Sequence, residues 1–184
     1  MKYDELNQHE QLGSSGEPYL LTHKESAAGV LLIHGFLASP PELTAYAEHL
    51  YQQGFNVLVL RLPGHGTSPY DLQERKWEEW YQAVERNYGI LAAFSEHMYI
   101  LGFSAGGALA LQFSTSKPQK LKALATVCAA IRLQDKKVRF VSVLNKLNKL
   151  VTLLPKIDGI MNYKDNDTIY GATNYLNIPI RFHR

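Results

Sequence analysis

The residues of this chain that could do covalent chemistry are few, and the first is Ser104, within Gly102-Phe103-Ser104-Ala105-Gly106-Gly107. The short apolar run Met98-Tyr99-Ile100-Leu101 precedes it, and a helical pattern through Ala108, Leu109, Leu111 and Phe113 follows. Strand, Gly-x-Ser-x-Gly and helix, in that order, predict a nucleophile elbow, a turn sharp enough to lift a serine hydroxyl off the sheet edge. Gly102 and Gly106 are the small residues that such a turn requires on either side. A serine so placed sits at a helix N-terminus, where unpaired N–H groups favour developing negative charge. Ser104 is therefore the candidate nucleophile; without its context the same string reads as a glycine-rich turn with an N-capping serine.

Acyl transfer by a serine also needs donors for the oxyanion. His34-Gly35-Phe36 leaves the end of a second apolar run, Val30-Leu31-Leu32-Ile33. In a parallel sheet the carboxyl ends of both runs share one edge, so the backbone N–H groups of Phe36 and Ala105 could point at a single oxygen. The pair is more specific than either member.

The elements that must position these residues are legible in the hydrophobic pattern. Residues 18–23 predict an edge strand. The β-branched run from Gly29 predicts a strand buried on both faces. Ser39-Pro40-Pro41-Glu42 predicts a helix start with Ser39 as cap and Glu42 completing a capping box, and Gly54 closes that helix. Phe55 to Leu60 predicts a further strand, followed by the turn-rich Arg61-Leu62-Pro63-Gly64-His65-Gly66-Thr67-Ser68-Pro69. A helix is expected from about Lys76 to Ser95, with Trp77, Trp80, Tyr81, Val84, Tyr88 and Leu91 as its core face. Another strand, Leu121 to Val127, follows the break at Lys117-Pro118. Alternating strands and helices argue for right-handed crossovers and a parallel sheet covered on both faces. Beyond Arg132, the residues from Phe140 to Leu154 trace an amphipathic helix that Pro155 ends.

Composition narrows the function. The chain has 184 residues with 19 basic and 17 acidic side chains and a net charge of +2, which gives no electrostatic argument for nucleic acid. Cys128 is the only cysteine, so an internal disulfide is excluded and a multi-cysteine metal site disfavoured; its apolar surroundings predict a small buried hydrophobe. No run approaches the ~18 apolar residues of a membrane span, and residues 1–16 lack the apolar stretch of a signal peptide. A cytoplasmic protein is the expectation.

On His34-Gly35-Phe36-Leu37-Ala38-Ser39-Pro40, Leu62-Pro63-Gly64-His65-Gly66-Thr67-Ser68 and Gly102 to Gly107, in that order, the chain resembles the α/β-hydrolase superfamily, and within it the cytosolic carboxylesterase and monoacylglycerol lipase-like group. The likeness is close over about residues 26–131. It implies an α/β-hydrolase fold, with a mostly parallel sheet, helices on both faces and a helical cap inserted after the strand ending near Val127. Residues 1–25 then form a lead-in and edge strand, 26–131 the front of the hydrolase core, and 132–184 the cap or lid. The segment from Phe140 to Leu154 falls where the cap belongs, although an ordinary core helix would carry the same pattern. The resemblance further implies a serine ester hydrolase acting on a small-molecule ester without cofactor or metal. Ser104 is its nucleophile and Phe36 and Ala105 are its oxyanion donors, while His34 and His65 belong to structural loops.

In this family the triad acid and histidine come after two further strands beyond the cap, and no such strands are legible before Arg184. Asp158, Asp165, Asp167 and His183 lack strand context and receive no role. The chain thus reads as the front part of a longer hydrolase, with acid and histidine expected beyond Arg184. Two other readings stay open: the same fold acting on a peptide or carbon–carbon bond, and a binding protein without a complete triad.

Overall fold

The computed structural model describes residues 16–67, 71–72 and 74–131. Most of the lead-in, the segment assigned to the cap and the four late residues Asp158, Asp165, Asp167 and His183 lie outside the described residues.

Among the described residues five strands form one sheet: β1 (Tyr19–Leu21), β2 (Ala28–Ile33), β3 (Asn56–Val59), β4 (His97–Phe103) and β5 (Leu121–Val127), in the order β1-β3-β2-β4-β5. Only β1 runs antiparallel, along β3; every other pairing is parallel. The connections are α1 (Thr44–Gln52), α2 (Trp77–Ala92) and α3 (Ala105–Ser114).

Side-chain alternation explains why the central strands read as continuous apolar runs. Val30, Leu32, Val57 and Val59 project to one face and pack with Leu43 and Ala47 at the start of α1. Leu31, Ile33, Leu58 and Ile100 project to the other, against Val84 and Leu91 of α2 and Leu109 and Phe113 of α3. With both faces covered, polar residues have no place on β2. The strand order reverses at β2, whose neighbours are β3 on one side and β4 on the other. Right-handed crossovers in opposite directions place α1 and α2 on opposite faces. The crevice beyond the carboxyl ends of β2 and β4 is therefore the topological switch point, where ligands of open α/β sheets bind.

Two local expectations are corrected. Residues Pro40–Leu43 form a 3-10 turn, and Ser39 makes no side-chain cap bond. The reason is the proline pair: Pro41 has no N–H to offer, and the Glu42 N–H goes to the Ser39 carbonyl at 3.1 Å. Among the described residues Cys128 is exposed rather than buried; it follows β5, the last strand of the described sheet, on which Ala123, Ala125, Thr126 and Val127 are exposed as well.

Candidate active site

The β2–β4 register sets Ile33 opposite Gly102, so the residues leaving the two strands run side by side. A Cβ built on Gly35 would lie 3.3 Å from the Ser104 Cβ, which measures how closely the two loops meet. Ser104 stands between β4 and α3 with φ 49° and ψ −113°. Such backbone costs a non-glycine residue about 1–3 kcal/mol, and the surroundings must hold it there. They do so by hydrogen bonds on both sides: the Ser104 N–H donates to the Val127 carbonyl at 2.9 Å. Its carbonyl accepts from the Ala108 and Ala130 amides, each at 3.2 Å. The side chain is left exposed.

The glycines make this geometry possible. A Cβ on Gly102 would fall 2.5 Å from the Gly106 carbonyl oxygen, and one on Gly106 would strike the carbonyls of Ile33 and His34. The first turn of α3 is thus pressed against the end of β2.

Ala105 is the first residue of α3, so its N–H is among those without an intrahelical acceptor. Phe36 and Leu37 occupy a turn closed by the Ala38 N–H on the Gly35 carbonyl at 3.3 Å. Leu37 has φ 67°, as the third position of a type II turn requires. This closure uses the Gly35 carbonyl and the Ala38 amide, and leaves the Phe36 N–H out of the turn's own bond. Both N–H groups sit on loops that flank Ser104, at the ends of adjacent strands.

His34 and His65 are fully buried beside this turn. The His34 Nε2 accepts the Leu62 N–H at 3.1 Å, so its Nδ1 carries the proton and donates to the Gly35 carbonyl at 2.9 Å. Both ring nitrogens are engaged in the neutral form. Burial, opposed by the Gly35 bond and aided by the nearby His65 and Arg61, pushes the His34 pKa down to about 3. His34 is a clamp joining the β2 and β3 loops, not a base. His65 Nδ1 donates to the Pro63 carbonyl at 3.2 Å, which also accepts the Trp80 Nε1–H at 2.9 Å. Burial lowers the His65 pKa as well. Among the described residues, no group that could hold a metal ion is found.

Sequence reasoning missed the neighbouring surface. A groove of about 360 Å³ opens beside the elbow, lined by Ala105, Ala108, Leu109 and Gln112 of α3, Trp77 and Trp80 of α2, and Ala130. Trp77 is 54% exposed and not part of a core face; the buried residues of α2 are Ala83, Val84, Tyr88 and Leu91. The amphipathic pattern of α2 holds only from its second turn onward. The signal was present in the small residues Ala105 and Ala108 opposite two tryptophans, but only the packing of the two helices side by side reveals a gap.

The chain is similar to several known proteins. The family described as serine aminopeptidase, S33, matches residues 24–173. A thermostable monoacylglycerol lipase of Bacillus sp. (strain H-257) is 33% identical over 105 residues, 57% of this chain and 41% of the lipase. A carboxylesterase of Bacillus subtilis (strain 168) is 26% identical over 129 residues, 70% of this chain and 52% of the esterase. The chain thus spans about half the length of these relatives. Among solved structures, a metagenome-derived lipolytic enzyme superimposes with a TM-score of 0.67 at 24% identity, over 92% of this chain and 67% of that one. The Paleococcus ferrophilus monoacylglycerol lipase gives a TM-score of 0.59 at 24% identity, over 74% and 52%.

Proposed function

Because the chain belongs to the serine aminopeptidase S33 family of α/β-hydrolases, we propose that it is the front part of a serine hydrolase that cleaves carboxylic esters. The observation that carries the reading is the strained backbone of Ser104 at the switch point, with the Gly35-Phe36 turn packed beside it. Strain of this kind clusters at active sites, ligand clamps and switch regions. Ser104 Oγ attacks the ester carbonyl carbon, and the Phe36 and Ala105 N–H groups receive the charge on the former carbonyl oxygen. Loss of the alcohol leaves an acyl group on Ser104, which water then removes. His34 does not take the serine proton, since both its nitrogens are engaged; the histidine that does and its acid partner are assigned to polypeptide outside the described residues.

The family description names an aminopeptidase, whereas both curated relatives are named for ester cleavage. The apolar lining beside Ala105 favours a lipophilic ester over a charged peptide N-terminus. Among the described residues no helix is long and apolar enough to cross a membrane. A cytoplasmic location, with a diffusing small-molecule ester as substrate and no nucleic-acid partner, completes the proposal.

An active-site-directed fluorophosphonate tests it. Labelling of the complete enzyme is expected to disappear in Ser104→Ala, with ester turnover falling by about 10³-fold or more. A folded, complete enzyme that takes up no label sinks the reading.

A further inference from the structure

The groove beside the elbow has an orientation. Ala105, Ala108, Leu109 and Gln112 are spaced i, i+3, i+4 and i+7, one stripe along α3. The stripe starts at the residue that flanks Ser104 and ends at the exposed Gln112. Trp77 and Trp80 form the opposite wall on α2. Further along, the two helices close on each other, with the Phe113 ring 4.9 Å from that of Tyr88 and 6.2 Å from that of Tyr81. Small side chains at Ala105 and Ala108 leave the first two turns of this seam unfilled. The volume, about 360 Å³, falls within the range of small-molecule sites.

We propose that this groove is the subsite for the unbranched alkyl chain of the ester, with Gln112 at its far end setting the preferred chain length. The inference rests on the reading of Ser104 as nucleophile, because Ala105, the residue next to it, lines the groove. A hydrocarbon chain is the occupant that fits: Gln112 is the only lining residue with a polar group beyond the backbone and the indole N–H groups, and the Trp80 indole N–H is already donated to Pro63. The stripe from Ala105 to Gln112 rises about 10 Å along the helix axis. An extended alkyl chain advances about 1.25 Å per bond, so about eight carbons span the groove before meeting the Gln112 amide.

Trp77 and Trp80 are the only two tryptophans among the 184 residues, so once any tryptophan of the complete enzyme outside them is replaced by phenylalanine, their fluorescence, excited where tyrosine does not absorb, reports occupancy directly. In Ser104→Ala, which cannot turn over an ester, methyl 8-bromooctanoate and 8-bromooctyl acetate carry a bromine quencher on the acyl and the alcohol chain respectively. Saturable quenching by either supports the proposal and identifies which chain enters. Within that bromine-tagged series, affinity is expected to rise about fourfold per methylene up to about eight carbons. Ala108→Phe fills the groove and is expected to abolish the quenching. Gln112→Phe, at an exposed position that does not threaten folding, is expected to weaken eight-carbon esters at least about fivefold while sparing four-carbon ones. Quenching by neither ester overturns the proposal, as does quenching that Ala108→Phe and Gln112→Phe leave unchanged. The two readings fail separately: a complete wild-type enzyme that takes up no fluorophosphonate while quenching in Ser104→Ala is intact strikes the nucleophile, and labelling without quenching strikes the groove alone.

Discussion

The two loops that meet at the site are held by different means. The β4 loop is fixed by absence: Gly102 and Gly106 lack the Cβ atoms that would collide with backbone, and close contact does the rest. The β2 loop is fixed by addition, since the buried His34 ring bridges the Gly35 carbonyl and the Leu62 amide. The first device is steric and independent of pH. The second depends on one imidazole remaining neutral, so the same site has a rigid half and a titratable half.

The sharpest way to break the comparison is at the steric half. Gly106→Ala drives a methyl group into the Ile33 and His34 carbonyls, neither of which can rotate away. Denaturant unfolding is expected to show a loss of about 3 kcal/mol or more, or no folded protein at all. An ordinary chevron with unchanged stability would mean that the elbow has room to spare.

His34→Ala removes the clamp and leaves the Leu62 N–H buried without its acceptor. A loss of about 3 kcal/mol is expected from the orphaned donor and the cavity together. Ester turnover should fall more than in a surface control, because the Gly35-Phe36 turn loses its tether.

Acid provides a milder test of the same half. The folded-state pKa of His34 is about 3 against about 6.5 unfolded. Between those values the unfolded chain binds more protons, so stability is complete above about pH 6.5 and declines as pH falls. The slope is about 1.4 kcal/mol per pH unit for each such histidine; His65, also lowered by burial, adds in the same direction. Thermal midpoints measured from pH 7.5 to 4.5 should fall, and His34→Ala should flatten the profile.

The smallest effect concerns the strain at the nucleophile. With φ 49° at Ser104, Ser104→Gly should be more stable than Ser104→Ala by about 1 kcal/mol, since glycine occupies that region without penalty. Equal melting temperatures for the two variants would show that the elbow stores no strain.

Legibility followed the range of the interactions. The elbow, the β2 run, the parallel sheet with α/β crossovers and the closing role of Gly54 (φ 90°) are local patterns, set by side-chain period and by residues that tolerate special backbone. The Ser39 cap failed because a neighbouring proline removed the donor it needed. Cys128 and Trp77 were misplaced for a different reason: one lies in an apolar run and the other on an aromatic stripe at helical spacing, and burial depends on what stands opposite. Among the described residues nothing covers Cys128 at the end of β5, and the small side chains of α3 leave Trp77 lining a groove.

By itself, then, the sequence determined the nucleophile candidate, its two flanking glycines, the Gly35-Phe36 loop and the family likeness, because each is a short-range arrangement of residue types with few structural solutions. Only the tertiary structure decided that His34 spends both nitrogens on backbone, that the Ser104 backbone is strained between Val127 and Ala130, and that a groove runs from Ala105 to Gln112. Those facts depend on contacts between residues distant in the chain, and strand register and the packing of helix on helix set them.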